Sequence, residues 1–254
     1  MDDFTPELLA KWDPNPFCRT KCGTEDFILQ FVPPLSGGME IAMKPTANCT
    51  EFASAISVAK MRESDAYTIA NLVPSKTLMY RAAMGIYNAA KWRGKTIAIV
   101  TGSGNNGGDG YALVCILADN GIPATLVRVS EKFSEDGKHY YDMAMQKGVT
   151  DGRFTAETDL SAYDIVVDCI LGTGFRGEPR GTVADAIRAI NTSGAYVICA
   201  DINSGLDGDT GEAVLAVKAD LTVSIGYYKR GMFLADAPAL IGDLVNVDIG
   251  IVLV

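Results

Sequence analysis

The strongest constraint on the fold of this chain is an alternation of two hydrophobic periods that repeats from Thr96 to Ala200. Nearly continuous apolar runs at Thr96–Thr101, Ala124–Val129, Ile165–Ile170 and Ala195–Ala200 read as buried strands. Between them lie helical segments at Tyr111–Asn120, Ser134–Lys147 and Thr182–Asn191, stopped by Gly121, Gly148 and Gly194. Two further strands are read at Leu221–Ile225 and Leu244–Ile249. Strand–helix alternation of this kind predicts an α/β fold, a Rossmann-like three-layer αβα sandwich with a mostly parallel sheet.

Two helices precede the first strand. One starts near Ile56, with Met61, Asp65, Ile69 and Leu72 at helical spacing, and breaks at Val73-Pro74. The next has Ser75 as expected N-cap and an apolar stripe of Leu78, Met79, Ala82, Ala83, Ile86, Tyr87 and Ala90. Lys91 and Arg93 are expected in its last turn and Gly94 is its stop. Residues 1–55 show no sustained period and hold Pro14, Pro16, Pro33, Pro34 and Gly37-Gly38, with one candidate strand at Phe27–Val32. The expected organisation is an irregular N-terminal extension over 1–55 and one domain over 56–254.

Composition narrows the function classes. The 254-residue chain carries a net charge of -9, which argues against nonspecific binding to nucleic acid or anionic membranes. No apolar run approaches the ~18 residues of a spanning helix, and Met-Asp-Asp-Phe lacks the basic and apolar regions of a signal peptide. A cytoplasmic location is the expectation. Of six cysteines, Cys115, Cys169 and Cys199 fall in apolar patterns and read as buried thiols. Cys18, Cys22 and Cys49 lack an obvious fourth zinc ligand, His139 being the only histidine and far along the chain, so reduced thiols are expected.

In parallel sheets ligands bind beyond the carboxyl ends of strands. Three such loops are rich in Gly and Asp: Gly102 to Gly110, Asp168 to Gly177, and Asp201 to Gly211. The first satisfies G-x-G-x-x-G at Gly102, Gly104 and Gly107, a weak dinucleotide signal by itself. Asn105-Asn106 bring amides between the glycines. Asp109 at the helix start competes with a bound phosphate. Near Val129, where an NAD site places an acidic residue, stands Arg128, either a surface residue or a phosphate contact. Turn and cap chemistry would account for one such loop; three on one sheet edge point to a site.

These residues resemble a known family. Gly104-Asn-Asn-Gly-Gly-Asp-Gly110, Asp168 with Gly172-Thr-Gly-Phe-Arg-Gly177, and Asp201-Ile-Asn-Ser-Gly-Leu-Asp207 with Asp209-Thr-Gly211 look like three ordered motifs of the YjeF N-terminal domain family, the NAD(P)H-hydrate epimerases. Met61–Asp65, Leu78-Met79 and Asp248-Ile-Gly250 match its flanking elements, so the resemblance runs from about residue 56 to the end. It implies an isomerase that interconverts the R and S forms of NADHX and NADPHX, hydrated at C6 of the nicotinamide ring. A separate NAD(P)HX dehydratase then repairs the S form. It implies a potassium ion held by Asn106, Asp168 and Ser204, all oxygen donors suited to a hard cation. It implies substrate contacts from Asn105, Asn106, Gly107, Gly108 and Asp109, from Gly172, Thr173, Gly174, Phe175, Arg176, Gly177 and Glu178, and from Asp201. A homodimer is implied as well.

Inversion at C6 can proceed by loss and re-addition of the hydroxyl, or by ring opening. Either needs a group that gives and takes a proton, and Asp201 at a strand end is the candidate. Its alternative role is a loop cap. Asp201→Asn is expected to abolish epimerisation with fold and affinity largely intact. Asn203 stands where the family usually has proline, which leaves that turn more backbone freedom. Two other classes compete: a non-catalytic nucleotide-binding or interaction module of the same fold, and an ordinary NAD(P) oxidoreductase, for which no catalytic Tyr-Lys or His constellation is found.

Overall fold

The computed structural model describes residues 55–254. The extension, its candidate strand at Phe27–Val32, and Cys18, Cys22 and Cys49 lie outside the described residues. The elements are α1 (Val58–Asn71), α2 (Ser75–Ala89), β1 (Ile97–Thr101), α3 (Asn105–Asp119), β2 (Thr125–Arg128), α4 (Glu135–Gln146), β3 (Thr150–Arg153), β4 (Ile165–Cys169), α5 (Gly181–Thr192), β5 (Tyr196–Ala200), β6 (Leu221–Ile225), a 3-10 turn (Arg230–Phe233), α6 (Ala237–Leu240) and β7 (Asp243–Val247). The seven strands form one sheet in the order β3-β2-β1-β4-β5-β6-β7, and every pairing is parallel.

The strands alternate between the two faces, as a period of two requires. Ile97, Ile99, Leu126, Ile165, Val167, Ile198 and Ala200 face a core built with α2, α3 and α4. Ala98, Val100, Val127, Val166, Val197 and Cys199 face a second core closed by Ala186, Ile187 and Ile190 of α5. Both faces are covered, which is why the strands read as continuous apolar runs. The three-layer expectation holds, with the sheet wholly parallel.

Three local expectations change, and two features went unread. Helix α3 starts at Asn105, not Tyr111, so most of the glycine motif is helix. None of Gly102, Gly104, Gly107, Gly108 or Gly110 has a positive φ. Instead, a side chain at Gly107 would run into the Gly102 carbonyl, and one at Gly110 into Thr101 and Cys169. These glycines let α3 sit close to the sheet. Pro74, not Ser75, is the N-cap of α2, with no side-chain cap bond, and the helix ends at Ala89, before Lys91 and Arg93. Helix α1 is capped by Ser57, whose hydroxyl accepts from Lys60 N. Strand β3 went unread because Thr-Asp-Gly-Arg carries no apolar signal; it is an edge strand paired only to β2.

Arg128, left between surface and phosphate roles by the sequence, is committed to β3. Its Nε and Nη2 donate to the two Asp151 oxygens at 2.7 and 2.8 Å. Both side chains are largely buried, at 13% and 16% exposure. Tyr141 also donates to Asp151 Oδ2 at 3.0 Å, and its ring lies under the guanidinium. A bidentate charged pair of this kind is the strong sort. Asp151→Ala, which strands the guanidinium, is expected to cost about 2 kcal/mol and to lower Tm by roughly 6 °C. A thermal melt matching the parent would show that the pair contributes nothing.

Candidate active site

The strand order reverses direction at β1 and β4. Helix α3, which follows β1, packs on one face of the sheet, and α5, which follows β4, packs on the other. The crevice beyond their carboxyl ends is where such sheets bind ligands. Gly102 N donates to Cys169 O at 3.0 Å, tying the two strand ends together at its floor. The first N–H groups of α3 point out of the helix start at Asn105 and Asn106, free of intrahelical acceptors and suited to an anion.

The three residues implied as cation ligands meet around the backbone of Leu171. Asn106 Nδ2 donates to Leu171 O at 2.9 Å, and Leu171 N donates to Ser204 Oγ at 2.8 Å. Ser204 Oγ donates to Asp168 Oδ1 at 2.6 Å, and Ser204 N to Oδ2 at 2.8 Å. Asp168 is fully buried and also accepts from Ile170 N and Cys199 Sγ. Burial pushes its carboxyl above the ordinary value, against these hydrogen bonds. The thiols of Cys169 and Cys199 are driven up in turn by burial and by Asp168, so they are inert. Asn106 is 6% exposed, and its Oδ1 has no hydrogen-bond partner among the described residues. A buried acceptor left open beside a hydroxyl and a carboxylate fits an oxygen-bound hard cation.

Asp201 lies next to this group. Asn106 Cβ and Asp201 Oδ2 stand 3.3 and 3.8 Å from where a Cβ on Gly172 would be, so Gly172 keeps the second loop close to both. Asp201 has a φ of 65°, one of two non-glycine residues at positive φ among those described. A left-handed Asp costs on the order of 1–2 kcal/mol. The turn aims its carboxylate at β6: Oδ1 accepts from Lys229 Nζ and, at 3.4 Å, from Ile225 N. Lys229 is fully buried, and its ammonium also donates to Ile225 O at 2.8 Å and Ser224 Oγ at 3.4 Å.

This pair bears on the expectation that Asp201→Asn leaves the fold largely intact. The substitution removes the one ion-pair partner that Lys229 has among the described residues. Sequence reasoning missed Lys229, although the same rule finds it: β6 is followed by Gly226-Tyr-Tyr-Lys229, a fourth loop at the same sheet edge.

Asn203 does not loosen the turn as expected. It is fully buried; its Nδ2 donates to Val217 O and Leu240 O, both at 2.9 Å, and its Oδ1 accepts from Thr222 Oγ1. Side-chain bonds hold here what a proline ring would hold by restricting φ.

The remaining residues divide. Arg176 is taken up by its surroundings: it donates to Phe175 O and Thr173 O and is ion-paired with Asp207 and Asp209. Asp209 in turn accepts from Val58 N at the start of α1, so it fastens the second and third loops to that helix. Thr173 and Phe175 are half-buried, while Gly174, Gly177 and Glu178 are exposed at the mouth. Asn105 is exposed at the start of α3, and Gly107 and Gly108 are buried beneath it, Gly108 against Met79. Arg62 of α1, absent from the sequence-derived set, lies over Gly174. Asp109 and Asp65 are half-buried and make no side-chain hydrogen bond among the described residues. Burial first, then the carboxylates of Asp201 and Asp65, push the Asp109 carboxyl well above the usual range, and Lys229 offsets part of this. Asp65 is raised by burial and by Asp201.

No helix among the described residues is long and apolar enough to cross a membrane, and no three His, Cys, Asp or Glu side chains among them could hold a metal.

Comparison with known proteins agrees with this geometry. A NAD(P)H-hydrate epimerase of Limosilactobacillus reuteri is 33% identical over 199 residues, 75% of this chain and 92% of that protein. One from Oenococcus oeni is 34% identical over 205 residues, 77% of this chain and 96% of that protein. A bifunctional NAD(P)H-hydrate repair enzyme of Coxiella burnetii is 32% identical over 191 residues, 73% of this chain but 39% of the relative. The crystal structure of a yeast protein shares the fold, with a TM-score of 0.60 at 18% identity, over 76% of this chain and 86% of that one. The model of the YjeF-related protein N-terminus matches residues 75–231, most of the sheet and all four loops. The chain therefore belongs to the family of YjeF-related N-terminal domains.

Proposed function

We propose that this protein is an NAD(P)H-hydrate epimerase, an isomerase that inverts C6 of NADHX and NADPHX. The observation that carries the reading is Asp201, a carboxylate in a strained left-handed turn at the crevice, ion-paired to the buried Lys229 beside the glycine loops. The relatives named for this activity support it.

The dinucleotide would lie across the carboxyl ends of β1 and β4. The N-terminus of α3 would receive its pyrophosphate, and Thr173 and Phe175 would line the half-buried part of the second loop. Asp201 exchanges a proton with the C6 hydroxyl or the water that replaces it. A potassium ion fits the open Asn106 Oδ1 with Asp168 and Ser204. When bound it would fix the Leu171 turn and supply positive charge beside the substrate. A cytoplasmic homodimer working ahead of a separate dehydratase completes the reading; the two-activity name of the Coxiella relative supports the coupling.

The test is direct. R-NADHX is supplied with an S-specific dehydratase and ATP, and NADH recovery is followed by absorbance. This protein is expected to raise the rate above the spontaneous one, more so with potassium than with sodium. No acceleration in either salt would sink the epimerase reading and leave the non-catalytic module.

A further inference from the structure

We propose that Arg62 is the phosphate clamp of the crevice: its guanidinium, carried by α1 over the tip of the second loop, takes the nicotinamide-side phosphate of the dinucleotide. This inference rests on the epimerase reading and names a binding residue together with the part of the substrate it holds.

Helix α1 lies across the carboxyl edge of the sheet and meets three of its loops. Val58 Cγ2 comes 2.7 Å from where a Cβ on Gly208 would be, in the loop after β5. Met61 Cε comes 2.8 Å from the same point on Gly226, after β6, and Arg62 Nη2 comes 3.1 Å from it on Gly174, after β4. Residues at this spacing share one face of a helix. The start of α1 is fixed by the Ser57 cap and by Asp209 Oδ1, which accepts from Val58 N at 2.7 Å. Arg62, one turn further on, is thus set over the second loop by the placement of its helix.

The second loop supplies the measure. Gly172 to Phe175 form a tight turn, closed by Phe175 N donating to Gly172 O at 3.1 Å. Its base, Gly172, lies against Asn106 and Asp201, and its tip, Gly174, lies against Arg62. A turn of this kind is less than about 7 Å across. In the substrate one ribose separates C6 of the nicotinamide from the nearest phosphate, whereas the 2′-phosphate of NADPHX lies beyond the pyrophosphate on the adenosine. With C6 at Asp201, the phosphate at Arg62 is the nicotinamide-side one.

Charge gives the clamp its purpose. Asp201, Asp207, Asp209 and Glu178 stand on the loops of this edge, so an entering pyrophosphate is repelled unless a cation receives it. Lys229 is engaged with Asp201, and Arg176 with Asp207 and Asp209. Arg62 is exposed and makes no ion pair or hydrogen bond among the described residues. Its planar fork can give two parallel N–H groups to one phosphate, which an ammonium cannot.

The test follows inversion directly, with the R and S forms separated by chromatography. Arg62→Ala is expected to raise KM for R-NADHX about tenfold, with a smaller change in kcat. The rise should be equal for R-NADPHX, since both carry the pyrophosphate. Hydrated reduced nicotinamide mononucleotide, which keeps the one phosphate, should show it too, and hydrated reduced nicotinamide riboside, which has none, should not. Arg62→Lys should fall between the parent and Arg62→Ala. Tm should match the parent, because an exposed side chain without partners is removed.

A parental KM for R-NADHX in Arg62→Ala, or an equal rise for the phosphate-free riboside, would overturn the proposal while the epimerase reading stands. A rise confined to R-NADPHX would overturn it as well, by moving the contact to the 2′-phosphate. If the parent protein gave no inversion at all, the epimerase reading would fall, and calorimetric titration with NADH would judge the clamp alone. Binding about tenfold weaker in Arg62→Ala would support it, and equal affinity would overturn it.

Discussion

Asp201→Asn should lower kcat for epimerisation by about a thousandfold, with a smaller change in KM. Among the described residues, the carboxylate alone is both aimed by a left-handed backbone and tied to a buried cation. Asparagine is among the few residues that tolerate this backbone conformation, so the turn itself survives. What the amide cannot do is accept and return a proton. The variant should also melt earlier, because the fully buried Lys229 ammonium keeps only neutral acceptors and loses its charged partner. Activity and stability are therefore read together. Turnover near that of the parent would exclude Asp201 as the base, whatever the melting temperature shows.

Lys229→Met carries the largest expected loss of stability. Methionine fills the same volume but leaves Asp201 with the Ile225 N–H alone, at 3.4 Å. Breaking a buried pair by removing one partner costs about 3 kcal/mol at the low end. The low end applies because Asp201 retains 17% exposure toward the crevice. For a domain of this size that is roughly 8 °C in Tm. The double variant Asp201→Asn, Lys229→Met should recover most of this loss, since no charge is then stranded, yet stay inactive. If the two single losses simply add in the double variant, the pair is not coupled and this account of Lys229 is wrong. Recovery of stability without recovery of turnover separates the structural role of the pair from its chemical one.

The readings from sequence and from structure differ in kind. The sheet was legible because strands buried on both faces carry an unbroken apolar signal, and β1, β4 and β5 show it plainly. β3 was not, because an edge strand needs no apolar side chains to pair its backbone. The glycine motif was found, but its packing role was not legible. Glycines that serve positive φ and glycines that serve close packing look alike in sequence, and only the neighbouring Gly102 carbonyl, Thr101 and Cys169 distinguish them. Arg128 shows the same limit, since its partner Asp151 lies 23 residues away on a strand that went unread.

The chain by itself determined its fold class, its family and the three loops that hold the Asn, Asp and Ser side chains, because these depend on local period and on the order of short motifs. Only the tertiary structure decided which charges work together. Asp65, Asp109, Asp201 and Lys229 span more than 160 residues and sit on four elements, and no local pattern links them. Electrostatic coupling depends on distance and burial in space. Those exist only once the parallel sheet has brought the four elements to one edge.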